Sequence, residues 1–286
     1  MPSDFTDDLR LAHVMADDAD STSESRFKAL DLHVMTKPDL TPVTDADRTV
    51  EEGIRRTLSR ARPRDAVLGE EQGSSGHSQR RWVVDPIDGT KNFVRGVPVW
   101  ATLISLMVDD EVVVGVVSAP MLNRRWWAMK GGGAWTGRSL LRATACQVSD
   151  VSRIEDASLA YSSLSGWDER GRLDDFLALS RRVWRTRAYG DFWSYMLLAE
   201  GAVDIATEPE LEVYDMAALD VIVREAGGVF TSLDGDPGPT GGSAMASNGK
   251  LHDQALAFLG SLADHEDPHP GGTVHDLSAR RGEPVD

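Results

Sequence analysis

The sequence predicts an α/β fold of alternating helical and sheet layers, with an antiparallel sheet from the first half and a mixed sheet from the second. Consecutive apolar runs with short links, such as 100–108 and 112–120 around a turn at 109–111, indicate antiparallel strands. Beyond about residue 150, apolar runs alternate with segments of helical periodicity, which is typical of α/β units. The chain has 286 residues, 41% of them hydrophobic, so it can bury a large core.

The first half begins with two predicted helices. Residues 8–30 carry an apolar stripe at helical spacing, and residues 31–43, with two prolines, are predicted to be extended. A second helix is predicted from about Thr44, because apolar residues recur every fourth position until Pro63 ends the pattern. Residues 69–80 are predicted to form a loop.

Four strands are predicted next, each from an apolar run: 81–85, 100–108, 112–120 and 124–130. Three consecutive glycines at 131–133 end the last of them. Trp126 and Trp127 are neighbours in that strand and should therefore face opposite sides of the sheet.

The second half alternates between the two kinds of element. Strands are predicted at 158–164, 184–190, 203–208, 228–235 and 243–248, and helices at 173–183, 191–201, 215–228 and 252–264. These patterns predict an N-terminal α+β subdomain at 1–145. A second, α/β subdomain is predicted at 146–264, and the Pro/Gly-rich residues 265–286 are predicted to be a flexible tail.

Composition argues against some classes of function. The formal net charge of −16 disfavours nucleic acid or an anionic membrane as a partner, because both require clustered Lys and Arg. The single cysteine, Cys146, excludes an internal disulfide and a cysteine-based zinc site. The N-terminus does not read as a signal peptide, and no window approaches the roughly 18 apolar residues of a membrane span. We therefore expect a cytoplasmic protein.

The stretch VVDPIDGT at 83–90 places Asp85 and Asp88 three positions apart at the end of an apolar run. Two carboxylates this close repel each other unless a proton or a cation lies between them, and Mg²⁺ takes oxygen ligands of this kind. The N–H groups of Gly89 and Thr90 can receive a phosphate. Ordinary turn hydrogen bonds explain the same residues equally well, so the stretch alone leaves both interpretations open.

Further acidic residues stand at the ends of predicted elements. Glu70 follows the apolar run 66–68, Asp47 lies at the start of the second helix, and Asp215 opens the helix at 215–228. Each has a structural alternative, which is a solvated loop for Glu70, a capping box for Asp47 and an N-cap for Asp215. No spacing rule by itself brings these residues together.

Three stretches in this order resemble the inositol monophosphatase family: GEE at 69–71, DPIDGTKNF at 85–93 and YDMAALDVIVREAGG at 214–228. The resemblance extends from about residue 8 to 262. It implies the fructose-bisphosphatase-like αβαβα sandwich with the site between its sheets, a homodimer, and a small-molecule phosphate ester as substrate. In that fold the subdomain 1–145 would carry most metal ligands, and the subdomain 146–264 would close the site and set specificity. The implied cofactor is Mg²⁺, at two to three ions per site, with Mn²⁺ as the alternative.

The resemblance also implies roles for single residues. Metal ligands would be Glu70, Asp85, the Ile87 carbonyl, Asp88 and Asp215, with Asp85 shared by two ions and a third, weaker ion near Glu70. Catalytic residues would be Asp47, Thr90 and Glu70, of which Asp47 and Thr90 orient the attacking water and help to deprotonate it. Substrate-binding residues would be Lys37, Gly89, Thr90, Asp191 and Glu208. Tyr214 replaces a tryptophan that is common in the family.

The stretch RAYGDFWSYMLLAEGAVDIATEPEL at 187–211 resembles the histidinol-phosphatase branch of the family, in its actinobacterial form. That resemblance implies histidinol phosphate as substrate, and Asp191 and Glu208 suit its cationic groups better than a neutral polyol. Asp191 has an alternative role as the N-cap of the next helix. Inositol-1-phosphate, or a range of small phosphate esters, is the alternative substrate. A non-catalytic phosphometabolite sensor is a further alternative, which loss of Asp47, Thr90 or a metal ligand would favour, and none is lost.

Overall fold

The structure, a computed structural model, describes residues 4–37 and 41–259. The helices are α1 (Thr6–Arg26), α2 (Asp45–Ala61), α3 (Thr90–Arg95), α4 (Leu164–Glu169), α5 (Leu173–Ser180), α6 (Asp191–Ala199), α7 (Val213–Glu225) and α8 (His252–Leu259). The strands are β1 (Val34–Thr36), β2 (Pro42–Thr44), β3 (Ala66–Gly69), β4 (Gly73–Ser75), β5 (Arg80–Asp88), β6 (Ala101–Val108), β7 (Glu111–Ala119), β8 (Arg124–Met129), β9 (Ala134–Ser139), β10 (Arg142–Ala145), β11 (Ser158–Ala160), β12 (Arg185–Arg187), β13 (Ile205–Glu208), β14 (Val229–Thr231) and β15 (Ala244–Ser247).

The first half forms a sheet in the order β10-β9-β8-β7-β6-β5-β3-β4. Its neighbours are antiparallel, as the sequence predicts, except that β3 and β5 run parallel. The exception arises because β4 folds back onto the outer edge of β3, so the chain must return before it begins β5. A separate antiparallel pair, β1 with β2, precedes α2.

The second half forms a mixed sheet, as predicted. Its order is β12-β11-β13-β15-β14, in which β11 is parallel to both β12 and β13 while β15 is antiparallel to β13 and β14. Parallel neighbours require crossover connections, which α4, α5 and α6 supply between these strands.

Five layers follow from the packing of apolar faces. Helices α1 and α2 cover one face of the first sheet, α6 and α7 fill the space between the two sheets, and α4, α5 and α8 pack on the far side of the second sheet. The predicted opposition of the tryptophans is confirmed, since Trp126 packs in the core between the sheets and Trp127 in the core under α1. The αβαβα sandwich is therefore present.

Several short elements of the structure are not predicted by the sequence patterns. Helix α3 buries only Phe93, and β4 is a GSS edge strand within the predicted loop at 69–80, so neither has an apolar period. Strands β9 and β10 follow the glycines as a largely exposed hairpin, and the predicted strand 158–164 is wrong after Ala160, because α4 begins at Leu164.

The C-terminal predictions are covered only in part. The predicted helix 252–264 is observed as α8 up to its end at Leu259, and residues 260–264 and the predicted tail 265–286 lie outside the described residues. The subdomain boundary at 145–146 remains a prediction. Across the described parts of the chain, no helix combines the length and apolarity needed to cross a membrane.

Candidate active site

Most of the predicted site residues line one cleft of about 330 Å³ between the first sheet and helices α6 and α7. The predicted residues at its wall are Lys37, Glu70, Asp85, Ile87, Asp88, Gly89, Thr90, Asp191 and Asp215. Residues separated by nearly 180 positions in the sequence therefore face one small volume. Asp47 and Glu208 are not part of this wall and lie behind it.

Three carboxylates converge at the floor of the cleft. Asp85, Asp88 and Asp215 each offer one oxygen, and these oxygens lie within 4.8 Å of one another. In a regular strand, residues three apart point to opposite faces. The register shifts between Asp85 and Asp88, which pair with Leu103 and Ala101, so one extra residue on β5 forms a bulge. The bulge explains how both carboxylates face the same cleft.

Backbone N–H groups hold each carboxylate in place. Asp85 accepts from the Ile87 N–H at 3.0 Å, and Asp88 accepts from the N–H of Phe192 at 2.7 Å. Asp215 accepts from the N–H of Glu212 at 2.8 Å as the third residue of a capping box, so it is not itself the N-cap. These backbone contacts fix the positions of the three carboxylates.

The carboxylates are poorly solvated and repel one another. Burial, followed by the charge of Glu70, raises the pKa of Asp85 well above its usual range, and burial and the charge of Asp191 do the same for the pKa of Asp88. Burial and the charge of Glu70 raise the pKa of Asp215 to about 7. A divalent cation relieves this repulsion, and the all-oxygen donor set fits Mg²⁺ or Mn²⁺.

Glu70 stands beside the trio, held by the ends of two strands. Its N–H donates to the Val84 carbonyl at 3.2 Å, and Lys37 Nζ lies 2.6 Å from a carboxylate oxygen of Glu70 and 2.6 Å from one of Glu71. Burial lowers the pKa of Lys37, but the hydrogen bonds and charges of the two glutamates outweigh it and raise that pKa. Lys37 is therefore a fixed cation at this edge of the cleft.

Asp47 and Thr90 meet under the cleft. Asp47 is buried and completes a capping box, in which its Oδ2 accepts from the N–H and the hydroxyl of Thr44 at 2.9 and 2.6 Å. Its other oxygen lies 3.3 Å from the Thr90 hydroxyl, which is also 2.9 Å from the Ile87 carbonyl. The capping role and the pairing with Thr90 use different oxygens of the same carboxylate.

Gly89 shapes the turn from β5 into α3. Its φ of 85° suits glycine, and a Cβ there would lie 3.2 Å from both Asp191 Oδ2 and the Val99 carbonyl. The first N–H groups of a helix have no partner inside that helix, so the start of α3 offers donors next to the carboxylates. A bound phosphate can accept from them.

Asp191 and Glu208 form a second acidic group joined by Ser162. The Ser162 hydroxyl donates to Glu208 Oε1 at 2.5 Å and accepts from the Asp191 N–H at 3.0 Å. Burial raises the pKa of Glu208 to about 8. The alternative role of Asp191 as an N-cap is wrong, since Gly190 is the N-cap and Asp191 is the first helical residue, with φ of 48°. Asn92 lies 3.3 Å from the Asp191 carboxylate.

The sequence patterns missed two residues of this site. Lys91 lines the cleft, and its charge lowers the pKa of Asp191 against the larger, opposite effect of burial. A cation directly after DGT was the available signal for Lys91. Ser162 lies behind the cleft and had no signal, because nothing in a serine-rich loop shows which hydroxyl will face a carboxylate. Tyr214 lines the cleft in place of the tryptophan.

The chain is similar to known proteins of one family. The sequence profile of the inositol monophosphatase family matches residues 9–262. A histidinol-phosphatase of Streptomyces coelicolor is 65% identical over 260 residues, which cover 90% of this chain and 98% of that protein. A histidinol-phosphatase of Mycobacterium tuberculosis is 60% identical over 254 residues, 88% and 98% of the two chains. The solved structure of an inositol monophosphatase from Zymomonas mobilis matches with a TM-score of 0.80 and 32% identity, over 91% of this chain and 100% of the other.

Proposed function

This chain belongs to the inositol monophosphatase family, and from that premise we propose that it hydrolyses histidinol phosphate to histidinol and inorganic phosphate, a step of histidine biosynthesis. The convergence of Asp85, Asp88 and Asp215 in one cleft is the observation that carries the phosphatase activity. The histidinol-phosphatases at 60 and 65% identity support the substrate.

The cofactor in this proposal is Mg²⁺, with Mn²⁺ as an alternative. Glu70, Asp85 and the Ile87 carbonyl would hold one ion, and Asp85, Asp88 and Asp215 a second, with a weaker site near Glu70. Such ions, when bound, polarise phosphoryl oxygens, lower the pKa of water and stabilise a leaving alkoxide. They also explain how a chain of net charge −16 accepts an anionic substrate.

The chain's own groups orient the water and the phosphate. Burial raises the pKa of Asp47, which makes its carboxylate a better proton acceptor, and its contact with the Thr90 hydroxyl gives the pair a route to an attacking water. The N–H groups of Gly89 and Thr90 would donate to phosphoryl oxygens, whose charge grows in the transition state. Lys37 would keep Glu70 oriented through their ion pair.

Asp191 and Glu208 would select the alcohol part of the substrate. With a pKa of about 8, Glu208 is largely protonated at neutral pH. A nearby ammonium or imidazolium would favour its ionised form, so a cationic substrate gains an attraction that a neutral polyol does not. In this arrangement Ser162 links Glu208 to the backbone of Asp191 and so holds the two acidic residues next to each other.

The substrate is tested by comparing kcat/KM for histidinol phosphate and inositol-1-phosphate with the Mg²⁺-loaded enzyme. We expect histidinol phosphate to be preferred by at least about tenfold, which corresponds to about 1.4 kcal/mol of differential transition-state binding. A preference of that size for inositol-1-phosphate would reject the substrate assignment. The similarity to the inositol monophosphatase of Zymomonas mobilis makes inositol-1-phosphate the second candidate.

Location and assembly belong to the same proposal. We propose a cytoplasmic enzyme, which the single, buried cysteine supports, since such a chain needs no oxidising compartment. The homodimer is proposed from family membership alone, and light scattering of the full chain tests it.

A further inference from the structure

A buried glutamate outside the cleft forms hydrogen bonds with the loop that carries Glu70. Glu51 lies on α2 and its side chain is fully buried. Its carboxylate accepts from the N–H groups of Glu71 at 2.7 Å and Gln72 at 3.1 Å. Arg55, one turn further along α2, donates to it from Nε at 2.7 Å. The buried charge is therefore fully paired, and two of its partners belong to a distant loop.

Arg55 forms further hydrogen bonds with the same loop. Its Nη2 donates to the Gly73 carbonyl at 2.5 Å, and its Nη1 donates to the Ser75 hydroxyl at 2.9 Å. On the other side, a Cβ at Gly69 would overlap the Glu51 carboxylate, so the loop passes directly over it. Glu51 and Arg55 together thus hold the loop from Gly69 to Ser75.

The contact lies next to Glu70 in the chain. The N–H of Glu70 donates to the Val84 carbonyl, and the next N–H along the chain, that of Glu71, donates to the Glu51 carboxylate. Fixing both peptide groups around Glu70 fixes the direction of its Cα–Cβ bond, and the ion pair with Lys37 holds the carboxylate at the end of the side chain. Glu51 also lies one turn after Asp47 on α2, so one rigid helix sets the position of Asp47 and, through the loop, of Glu70.

We propose that Glu51 is a positioning residue that orients Glu70 for the divalent cation and so sets metal affinity. The inference rests on the proposed metal-dependent function. Groups that orient a metal ligand affect affinity although they never contact the ion. A purely structural role for the same hydrogen bonds would lower stability and leave metal affinity unchanged.

The test uses the full chain with Glu51→Gln, which keeps the side-chain volume, and Glu52→Gln as the matched control on the exposed face of the same helix. Mg²⁺ binding to metal-stripped protein is measured by calorimetry, together with the Mg²⁺ dependence of phosphate release from histidinol phosphate. We expect Glu51→Gln to weaken Mg²⁺ binding about 10- to 100-fold, with kcat at saturating Mg²⁺ much less affected, and the control to match the wild type.

The possible results distinguish failure of the positioning role from failure of the proposed function. Unchanged Mg²⁺ affinity in a folded Glu51→Gln protein, with or without a lower Tm, overturns the positioning role and leaves the proposed function intact. A wild type that binds no Mg²⁺ and releases phosphate without it refutes the proposed function itself. If Glu51→Gln does not fold, Gly69→Ala decides, because it keeps every charge but displaces the Glu51 carboxylate. We expect the same loss of Mg²⁺ affinity from it, and wild-type affinity contradicts the proposal.

Discussion

Replacing Asp215 with asparagine should stabilise the metal-free protein at alkaline pH and weaken its response to Mg²⁺. The pKa of Asp215 rises from 3.8 to about 7 on folding, because burial and neighbouring carboxylates disfavour its charge. A group with a raised folded pKa lowers stability as pH rises from its unfolded to its folded pKa, and the full cost is present above about pH 7. About three pKa units correspond to about 4 kcal/mol.

The expected effect is smaller than this maximum. Asp215 is partly exposed in the cleft, and its neighbours share the repulsion, so we expect about 2 kcal/mol. That corresponds to a rise in Tm of about 4 to 8 °C for a chain of this size. The Glu212 N–H keeps its partner, because the asparagine oxygen accepts in place of the carboxylate.

Thermal unfolding in EDTA, followed by circular dichroism, measures the effect at about pH 8 and about pH 5, where the difference should fall to less than about half. An exposed control, Asp234→Asn, should move Tm at neither pH. Added Mg²⁺ should raise the Tm of the wild type more than that of Asp215→Asn, since the variant keeps the residues proposed for the first ion but lacks a proposed ligand of the second. A variant no more stable than the wild type at about pH 8 without metal would refute the repulsion argument.

Three further changes test other parts of the site. Asp191→Asn should lower kcat/KM for histidinol phosphate by at least about tenfold and leave kcat/KM for inositol-1-phosphate nearly unchanged. Equal losses for both substrates would reject the contact between Asp191 and the substrate cation. Thr90→Val should lower kcat by about 10²- to 10⁴-fold in steady-state phosphate release, because Asp47 loses its partner at the water, and a near-normal kcat would contradict this. Glu208→Gln should reduce the fall in the Tm of the metal-free protein between about pH 4.5 and 8, because the glutamine has no buried charge to form as the pH rises. A Tm that falls with pH as steeply as in the wild type would count against the raised pKa of Glu208.

The sequence predicted the elements whose patterns are long and periodic. Helix α2, the β6–β7 hairpin and α7 follow directly from apolar spacing and turn residues. Helix α3 and strand β4 have too few buried residues to leave a period, and they were missed. The parallel pairing of β3 with β5 depends on where β4 folds back, which no local pattern records.

The site shows the same division. The residues of the DPIDGT stretch were visible because Asp, Pro and Gly cluster at the end of a strand, although only the bulge in β5 shows why Asp85 and Asp88 share a face. The convergence of Asp215 with them came from family resemblance alone, since tertiary packing of α7 brings it there. Glu51 carried no signal, because an acidic residue in an amphipathic helix is ordinarily solvated and only the structure reveals that it is buried.

The central claim is that carboxylates from distant parts of the chain bind shared divalent cations in one cleft. Anomalous difference density from crystals soaked with Mn²⁺ tests it most directly, because it locates the ions without assuming any activity. We predict peaks in contact with Asp85, one of them also in contact with Asp88 and Asp215 and another with Glu70. Manganese bound only at other surfaces, with these four carboxylates free of it, would contradict the account.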